Sequence, residues 1–367
     1  MARFRESLLL IPALPFLFLG FGHRSPLLVP PPAAAAGDVA AGHFSLTDAK
    51  VHVYDLAGHV EVVAGSGSAV QVDATFGGRD ASRLGIANVA HDGQALVVKF
   101  PSDHIRWVEH GDRSSTTVDV NGDGTFRDRD WTAGLGGHRV RIDGRPGGLD
   151  AWADLRIAVP RGQQIDVRVG VGHVTVTNVD GALSVGCSAS DVSVNGAHGR
   201  LRVATGSGDI EARDVDGEQA FETGSGSLHA SRLTGGAVKV GTGSGDVTVE
   251  SVQATNLRAQ TGSGELSMSG VSAPEVVLGT GSGDVSVQLL RRIDRLKVST
   301  GSGGVRITAP PDLGAAIRVT TGSGGVESDF PLSGVQRGSG SFAAVVGDGR
   351  GDIFVTTGSG DVALIRR

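Results

Sequence analysis

The segment DVNGDGTFRDRD, residues 119–130, spaces oxygen-bearing groups as a calcium loop does. Such a loop has oxygen ligands at positions 1, 3 and 5, a glycine at position 6, a backbone carbonyl at position 7 and an acid at position 12. Arg127 at position 9 opposes this assignment, and Asn-Gly-Asp-Gly is also a common hairpin turn. Both interpretations stay open. The predicted calcium ligands are Asp119, Asn121, Asp123, Thr125 and Asp130.

A second set of acids follows a recurring TGSG tetrapeptide: Asp209, Asp246, Glu265, Asp284 and Asp361. Enzymes built on β-helices align carboxylates in this way, so a polysaccharide lyase or hydrolase is one alternative. The series is interrupted at Ser227, Gly304, Gly325 and Ser341. An enzyme also needs one place where the repetition gives way to a catalytic constellation, and the sequence contains no such place. We therefore predict no catalysis and no catalytic residues.

The remaining reactive side chains are scattered. Histidines such as His104 and His110 lack metal-ligand spacing, and the single Cys187 excludes an internal disulfide. Trp107, Trp131 and Trp152 fall in or beside one polar segment, residues 103–150. Because aromatic residues are favoured anchors in recognition, this insert is the predicted contact surface.

The tetrapeptide itself sets the architecture, because self-similarity at a fixed period indicates a repeat fold. Neighbouring copies begin 18 to 21 residues apart over most of the series, and a degenerate copy, RGSG, begins at Arg337. Two weaker copies precede them, VGVGHVTV from Val169 and CSASDVSV from Cys187. The intact copies begin at Thr205, Thr223, Thr242, Thr261, Thr280, Thr300, Thr321 and Thr357.

Both flanks of the tetrapeptide mostly alternate apolar and polar residues, as in Val238 and Val240 before Thr242, and Val247 and Val249 after it. This alternation is typical of strands buried on one face. A unit this short cannot bury its apolar face alone, but stacked units share one core. The pattern predicts an all-β protein, a β-solenoid of stacked coils of about 19 residues with parallel in-register strands.

The TGSG units are predicted to be corners of the coils. Glycine adopts φ > 0 without steric cost, and Ser and Asp hydrogen-bond local backbone in turns. A phosphate-binding loop would need a helix after the glycines, whereas a strand pattern follows each copy.

The repeated TGSGDV units and the segment ADLRIAVPRGQQIDVRVGVGHVTV, residues 153–176, resemble the bacterial putative-adhesin family of exported β-strand repeat proteins. The likeness extends from about Phe44 to the carboxyl terminus. The resemblance implies a β-solenoid outside the cytoplasm and an adhesive role. The polar insert departs from the family pattern.

Three regions are predicted. Residues 1–36 read as a signal peptide, with Arg3 and Arg5 before an apolar run and alanines at its end. Residues 37–165 form an amino-terminal β-rich part that contains the insert, and residues 166–367 form the solenoid repeats. The exported protein is then expected in the periplasm, at the cell surface or in the medium as a secreted protein.

Composition limits the partners. The formal net charge is −6, without a cluster of Lys and Arg, so nucleic acid is not an expected partner. The expected partner is a protein or glycan at the cell exterior, with no cofactor other than calcium. The final strand pattern, GDVALIRR, shows no cap, and an open strand edge invites end-to-end self-association. The function predicted is an exported, non-enzymatic binding or scaffold protein, with a carbohydrate-active enzyme and a calcium-dependent binding module as alternatives.

Overall fold

In each repeat, every second residue points an apolar side chain inward, and the repeats together share one continuous core. The structure, a computed structural model, describes residues 39–108, 115–126 and 137–367, all within one compact unit. In the repeat that ends at Thr242, Val238 and Val240 are buried, as are Val247 and Val249 beyond the corner. Burying a side chain of this size stabilises the folded state by about 1.5–3 kcal/mol.

The amino-terminal part supplies nine of the 24 strands in the described residues, with a 3₁₀ turn at Ala81–Arg83. These are β1 (Val39–Leu46), β2 (Lys50–Ala64), β3 (Val70–Gly77), β4 (Gly85–Ala90), β5 (Gln94–Lys99), β6 (His104–Arg106), β7 (Ser115–Val120), β8 (His138–Asp143) and β9 (Trp152–Val159).

The middle of the chain forms the regular stack. Its strands are β10 (Gln163–Ser207), β11 (Ile210–Ser225), β12 (Leu228–Ser244), β13 (Val247–Ser263), β14 (Leu266–Ser272), β15 (Glu275–Ser282), β16 (Val285–Leu289), β17 (Arg295–Ser302) and β18 (Val305–Ala309).

The carboxyl-terminal part holds the remaining strands. They are β19 (Ala315–Thr321), β20 (Val326–Ser328), β21 (Leu332–Gly338), β22 (Ser341–Val346), β23 (Gly351–Thr357) and β24 (Val362–Arg366).

Neighbouring rungs, each a complete turn of the chain around the stack, pair in parallel and in register. Strand β11 pairs with β12, and β12 with β13, so that Thr223 lies beside Thr242 and Thr242 beside Thr261. Strand β2 joins the same stack by pairing in parallel with β10. The predicted all-β solenoid with parallel in-register strands is confirmed.

Rung order departs from chain order at the carboxyl end. Strands β23 and β24 pair in parallel on one side with β17 and β18, and on the other with β19 and β20. Thr357 therefore lies between Thr300 and Thr321, although it is the last of the three in the chain. The expectation that the final strand leaves an open edge is wrong, since both edges of β24 are paired.

The degenerate repeat at Arg337 is not a corner of the solenoid. Residues 337–340 form the end of β21 and the turn into β22, and these two strands pair antiparallel with Gly338 beside Ser341. Strand β22 also pairs antiparallel with β19. This hairpin covers the outer edge of β19, so the carboxyl-terminal end of that sheet finishes on antiparallel strands. Antiparallel pairs also finish the amino-terminal end, where β3 pairs with β1 and β4 with β5.

The polar insert forms a separate three-stranded sheet in the order β6, β8, β7. Its residues contact the outer face of the first rungs, where β7 lies against β10 and the ring of Phe126 meets that of Tyr54 at 5.5 Å. The insert therefore covers one outer face of the stack at its amino-terminal end. The predicted domain boundaries stay a prediction, as does the signal peptide, which lies outside the described residues.

Candidate functional site

The TGSG corner is held by a buried hydroxyl. Every threonine that opens an intact TGSG is buried, and seven of the eight donate a hydrogen bond to a backbone carbonyl of the neighbouring rung. Thr261 Oγ1, for example, donates to the carbonyl of Gly245 at 2.9 Å. Because a buried polar group needs such a partner, we infer that the threonine hydroxyl has a structural role at the corner.

Both glycines of the corner are required by the stacking distance. A Cβ on Gly281, the second residue of its TGSG, would lie 2.5 Å from the carbonyl oxygen of Gly262. A Cβ on Gly283, the fourth residue, would lie 2.1 Å from the carbonyl oxygen of Gly264, and φ there is +149°. The predicted corner role of the tetrapeptide agrees with this geometry.

The acids after TGSG form a carboxylate column that ties the rungs together. Asp209 Oδ1 accepts the backbone N–H of Ser227 at 2.7 Å, and Asp246 Oδ1 accepts that of Glu265 at 2.9 Å. The same contact joins Asp191 to Asp209, Asp284 to Gly304 and Asp361 to Gly325. Each of these carboxylates therefore satisfies a corner amide of the next rung.

At its amino-terminal end the carboxylate column changes to histidine. Asp154 Oδ1 accepts the N–H of His59 and lies 3.0 Å from its Nδ1. The imidazole of His59 stacks on that of His173 at 5.4 Å, and His173 Nε2 lies 3.7 Å from Asp191 Oδ2. An Asp–His–His–Asp series thus occupies four successive rungs of one corner.

Two tryptophans of the predicted contact surface adjoin this series. Trp107 is buried, and its ring lies 5.8 Å from that of His59 and 6.3 Å from that of Trp152. Packing against the solenoid thus withdraws Trp107 from solvent, while Trp152 is half-buried. Trp131 and His110 lie outside the described residues.

A buried carboxyl, Asp55, lies in the column that the threonines occupy further along the stack. It is paired with Val169 in the next rung and is 1% exposed. Burial raises its pKa well above the usual range, and the nearby Asp154 carboxylate adds to the rise. Its Oδ1 accepts the N–H of Ala57 at 3.3 Å, while Oδ2 has no hydrogen-bond partner among the described residues. Asp55 is therefore neutral over a wider pH range than an exposed aspartate.

A second buried polar group lies on the face that precedes the corner. Asp166 Oδ2 accepts a hydrogen bond from Arg168 at 2.8 Å and lies 3.5 Å from His52 Nδ1. Burial opposes ionisation of Asp166, but the contacts with His52, Arg168 and Ser184 outweigh it and lower the pKa. Asp166 is therefore a charged, paired group in the covered part of the stack.

The residues of the predicted calcium loop begin a tight turn after β7. Asn121 N–H donates to the carbonyl of Thr125, and Asn121 Nδ2 donates to Thr125 Oγ1. Asp123 Oδ1 accepts both the N–H and the hydroxyl of Thr125, and these bonds lower its pKa against the effect of burial. Asp119 instead pairs with Arg139 at 3.0 Å.

The calcium assignment stays a prediction. In these contacts the side chains of Asp119 and Asp123 bind separate partners, and the Thr125 carbonyl already accepts a backbone N–H. The fifth predicted ligand, Asp130, lies outside the described residues. Among the residues that are described, no group of three or more His, Cys, Asp or Glu side chains is arranged to hold a metal ion.

A small cavity at the carboxyl-terminal end is lined by apolar side chains that include Ile317, Val319 and Phe342. Its volume of about 10 Å³ admits at most a single water molecule. Cys187 is buried. No helix in the described ranges has the length and apolar character to cross a membrane.

The fold defines the protein as a β-solenoid whose polar corner columns bind its own backbone. A family model matches residues 34–365, and the chain belongs to the Toastrack DUF4097 family. This match confirms the family resemblance that the sequence predicts, and the adhesive role that the resemblance implies stays a prediction.

Two solved structures are similar to the chain at low identity. A putative adhesin from Bacteroides fragilis NCTC 9343 is 11% identical with a TM-score of 0.36, and the match covers 90% of this chain and 98% of that one. A putative cell adhesion protein from Clostridium sporogenes ATCC 15579 is 11% identical with a TM-score of 0.21, covering 87% and 92%. No curated protein matches the chain.

Sequence reasoning missed the roles of Thr and Asp at the corner. The repeated Thr and the repeated Asp were visible, but their partners lie in neighbouring rungs. The periodic hydroxyl at a buried position was the available signal, because a buried hydroxyl demands an acceptor. The His59–His173 stack gave no signal, since the two residues are far apart in the chain.

Proposed function

We propose that the protein is an exported, non-enzymatic solenoid that binds a protein or glycan at the cell exterior. The observation that carries the proposal is the carboxylate column, whose oxygens accept backbone N–H groups of the next rung. A catalytic acid or base must reach the substrate's reacting atom. Carboxylates that hold corner amides are instead part of the scaffold that joins one rung to the next.

Export rests on the first 36 residues. Two arginines, an apolar run and a terminal group of alanines are the parts of a signal peptide. We expect a tagged chain to fractionate outside the cytoplasm and its amino terminus to begin at Gly37. A full-length chain retained in the cytoplasm would contradict this part of the proposal.

The binding role is tested with the purified protein on a glycan array and on immobilised cell-envelope extract, with and without calcium. We expect capture without release of soluble products. Asp246→Asn serves as the variant for the competing enzyme hypothesis and should leave capture unchanged. Release of oligosaccharides that this substitution abolishes would overturn the non-enzymatic assignment, and no capture by any surface would overturn the binding role.

A further inference from the structure

Five basic residues form a single column on the outer face of the strands that precede the TGSG corners. Strand pairing places them in one line with three uncharged residues, Ala220, Val277 and Phe354, between them. All five side chains point outward and are exposed. The basic column consists of Arg202, Lys239, Arg258, Lys297 and Arg318.

The charges of the basic column are spaced two rungs apart in three of their four intervals. Adjacent rungs lie about 4.8 Å apart, and the five cations occupy the first, third, fourth, sixth and eighth of eight consecutive rungs. Most successive charges are therefore about 10 Å apart, over a total of about 34 Å. The insertion of β23 between β17 and β19 sets the last interval, because Phe354 separates Lys297 from Arg318.

Much of this charge is not neutralised within the protein. Lys239 pairs with Glu222 and Arg318 with Asp352, and both pairs are exposed. Such surface pairs contribute only about 0–1 kcal/mol, so a competing anion can displace them. In the described part of the chain, Arg202, Arg258 and Lys297 take part in no ion pair.

The surroundings of the basic column are mixed but cationic on balance. The flanking positions on the same face add Arg200 and Arg295 and the acids Glu218, Glu222, Glu275 and Asp352. The basic column and its flanking positions thus carry seven cations and four anions, although the net charge of the whole chain is −6. Beyond the corner, the carboxylate column carries the opposite sign.

We propose that the basic column binds a linear acidic glycan laid along the solenoid axis, a proposal that rests on the binding role above. The rung spacing of about 4.8 Å is close to the length of one extended sugar residue. A glycan with one carboxylate or sulfate per disaccharide therefore presents a charge at about every second rung. This interval matches most of the intervals in the basic column.

Nucleic acid fits the same face less well. Single-stranded nucleic acid is held by aromatic side chains on which successive bases stack, and the column offers one ring, Phe354. That ring is already covered by the guanidinium of Arg318 at 5.2 Å. The spacing of the charges in the basic column and the scarcity of aromatic rings beside them therefore favour an acidic glycan over nucleic acid.

The test measures binding of the purified protein to immobilised hyaluronan, which carries one carboxylate per disaccharide, with neutral dextran as the reference polymer. We expect saturable binding to hyaluronan, none to dextran, and an affinity that falls roughly tenfold between 50 and 200 mM salt, as for a few released counterions. The double variant Arg258→Glu, Lys297→Glu should lose this binding at least about tenfold.

A matched control makes the same charge change elsewhere. Arg306 and Arg366 are exposed on the strands that follow the corners, and the double variant Arg306→Glu, Arg366→Glu should bind hyaluronan like the wild type. Equal melting temperatures for both variants exclude misfolding. Equal loss in both variants, or no loss in either, would overturn the assignment to the basic column.

Further outcomes separate this proposal from the general binding role. Capture by a neutral glycan or a protein, without binding to hyaluronan, would overturn the acidic-glycan proposal and leave the binding role in place. Tighter binding to oligo(dT) than to hyaluronan would also overturn it. Concentration-dependent self-association that Arg258→Glu, Lys297→Glu abolishes would assign the column to a second copy of this chain instead.

Discussion

At the scale of single residues, each corner side chain is fixed by the rung beside it. Thr261 illustrates this, because its hydroxyl donates to the Gly245 carbonyl from a buried position. Thr261→Val keeps the shape but leaves that carbonyl without its hydroxyl donor, and should cost about 1 kcal/mol of stability in urea unfolding. Thr248, half-buried on an outer face, provides the control: Thr248→Val should stay within about 0.5 kcal/mol of the wild type.

The corner glycines predict a sharp contrast between two nearby positions. A Cβ on Gly281 would meet a backbone oxygen at 2.5 Å, whereas a Cβ on Gly279 meets its nearest atoms at 3.9 Å. Gly281→Ala should therefore destabilise by about 1–3 kcal/mol through overpacking, and Gly279→Ala by much less. Urea unfolding of the two variants checks this. Equal effects would show that rungs do not approach closely at the corner.

Asp55 predicts a pH dependence. Its folded-state pKa is raised by burial, so this group's contribution to stability is complete below the unfolded pKa of about 3.9 and is lost as the pH rises through the folded pKa. Asp55→Asn removes this loss and should flatten the decline of unfolding free energy from pH 4 to pH 8. Thr248→Val, which removes no titratable group, should keep the wild-type slope. An unchanged slope in Asp55→Asn would contradict the buried, neutral carboxyl.

At the scale of elements, alternation of apolar and polar residues was sufficient to predict strands and a solenoid. It was insufficient to predict rung order, because each repeat carries the same pattern and pairs equally well with several others. The sequence of the RGSG hairpin does differ from that of the other repeats. Ser333 lies two residues before Val335, at a position where the other repeats mostly have an apolar residue. Because β21 lacks this row of apolar residues, it does not enter the core and instead lies at an exposed sheet edge, paired antiparallel with β22.

The inserted carboxyl-terminal rung makes the end of the chain structurally internal. Ile353, Val355, Val362 and Leu364 are buried between rungs on both sides. Truncation after Arg350 removes their burial, worth about 1.5–3 kcal/mol each, and exposes strand edges above and below. Strands β17 and β18 keep their pairing with β15 and β16, so we expect limited proteolysis to remove residues beyond about 310 while the earlier rungs persist. Truncation after Ile365, which removes only exposed arginines, should leave the wild-type pattern, and identical patterns for both would contradict the inserted rung.

The loop at residues 119–130 has two alternatives that one measurement separates. Calcium binding predicts a rise in melting temperature with millimolar calcium that Asp123→Ala abolishes. A hairpin turn held by Thr125 predicts no response to calcium, and a loss of stability in Asp123→Ala that calcium does not change. Sequence could not decide between them, because the same residue types serve as calcium ligands and as turn formers.

At the scale of the whole molecule, the stack presents long straight columns on its surface. One is basic, one is acidic, and both owe their regularity to the parallel register of the rungs. The sequence reveals the acidic column because an acid follows five of the eight intact TGSG copies. The basic column is harder to see, since neutral residues interrupt it and rung order differs from chain order at Phe354 and Arg318.

The central claim is that the rungs stack in parallel with the rung of Thr357 between those of Thr300 and Thr321, and disulfide formation tests it most directly. In a Cys187→Thr background, Lys297→Cys with Phe354→Cys places the two Cα atoms on adjacent rungs, within the 4.4–6.8 Å that a disulfide spans. Lys297→Cys with Arg318→Cys places them two rungs apart, at about 10 Å. We predict that mass spectrometry finds a disulfide in the first pair and free thiols in the second. The reverse result would show that rungs follow chain order and would contradict the structure.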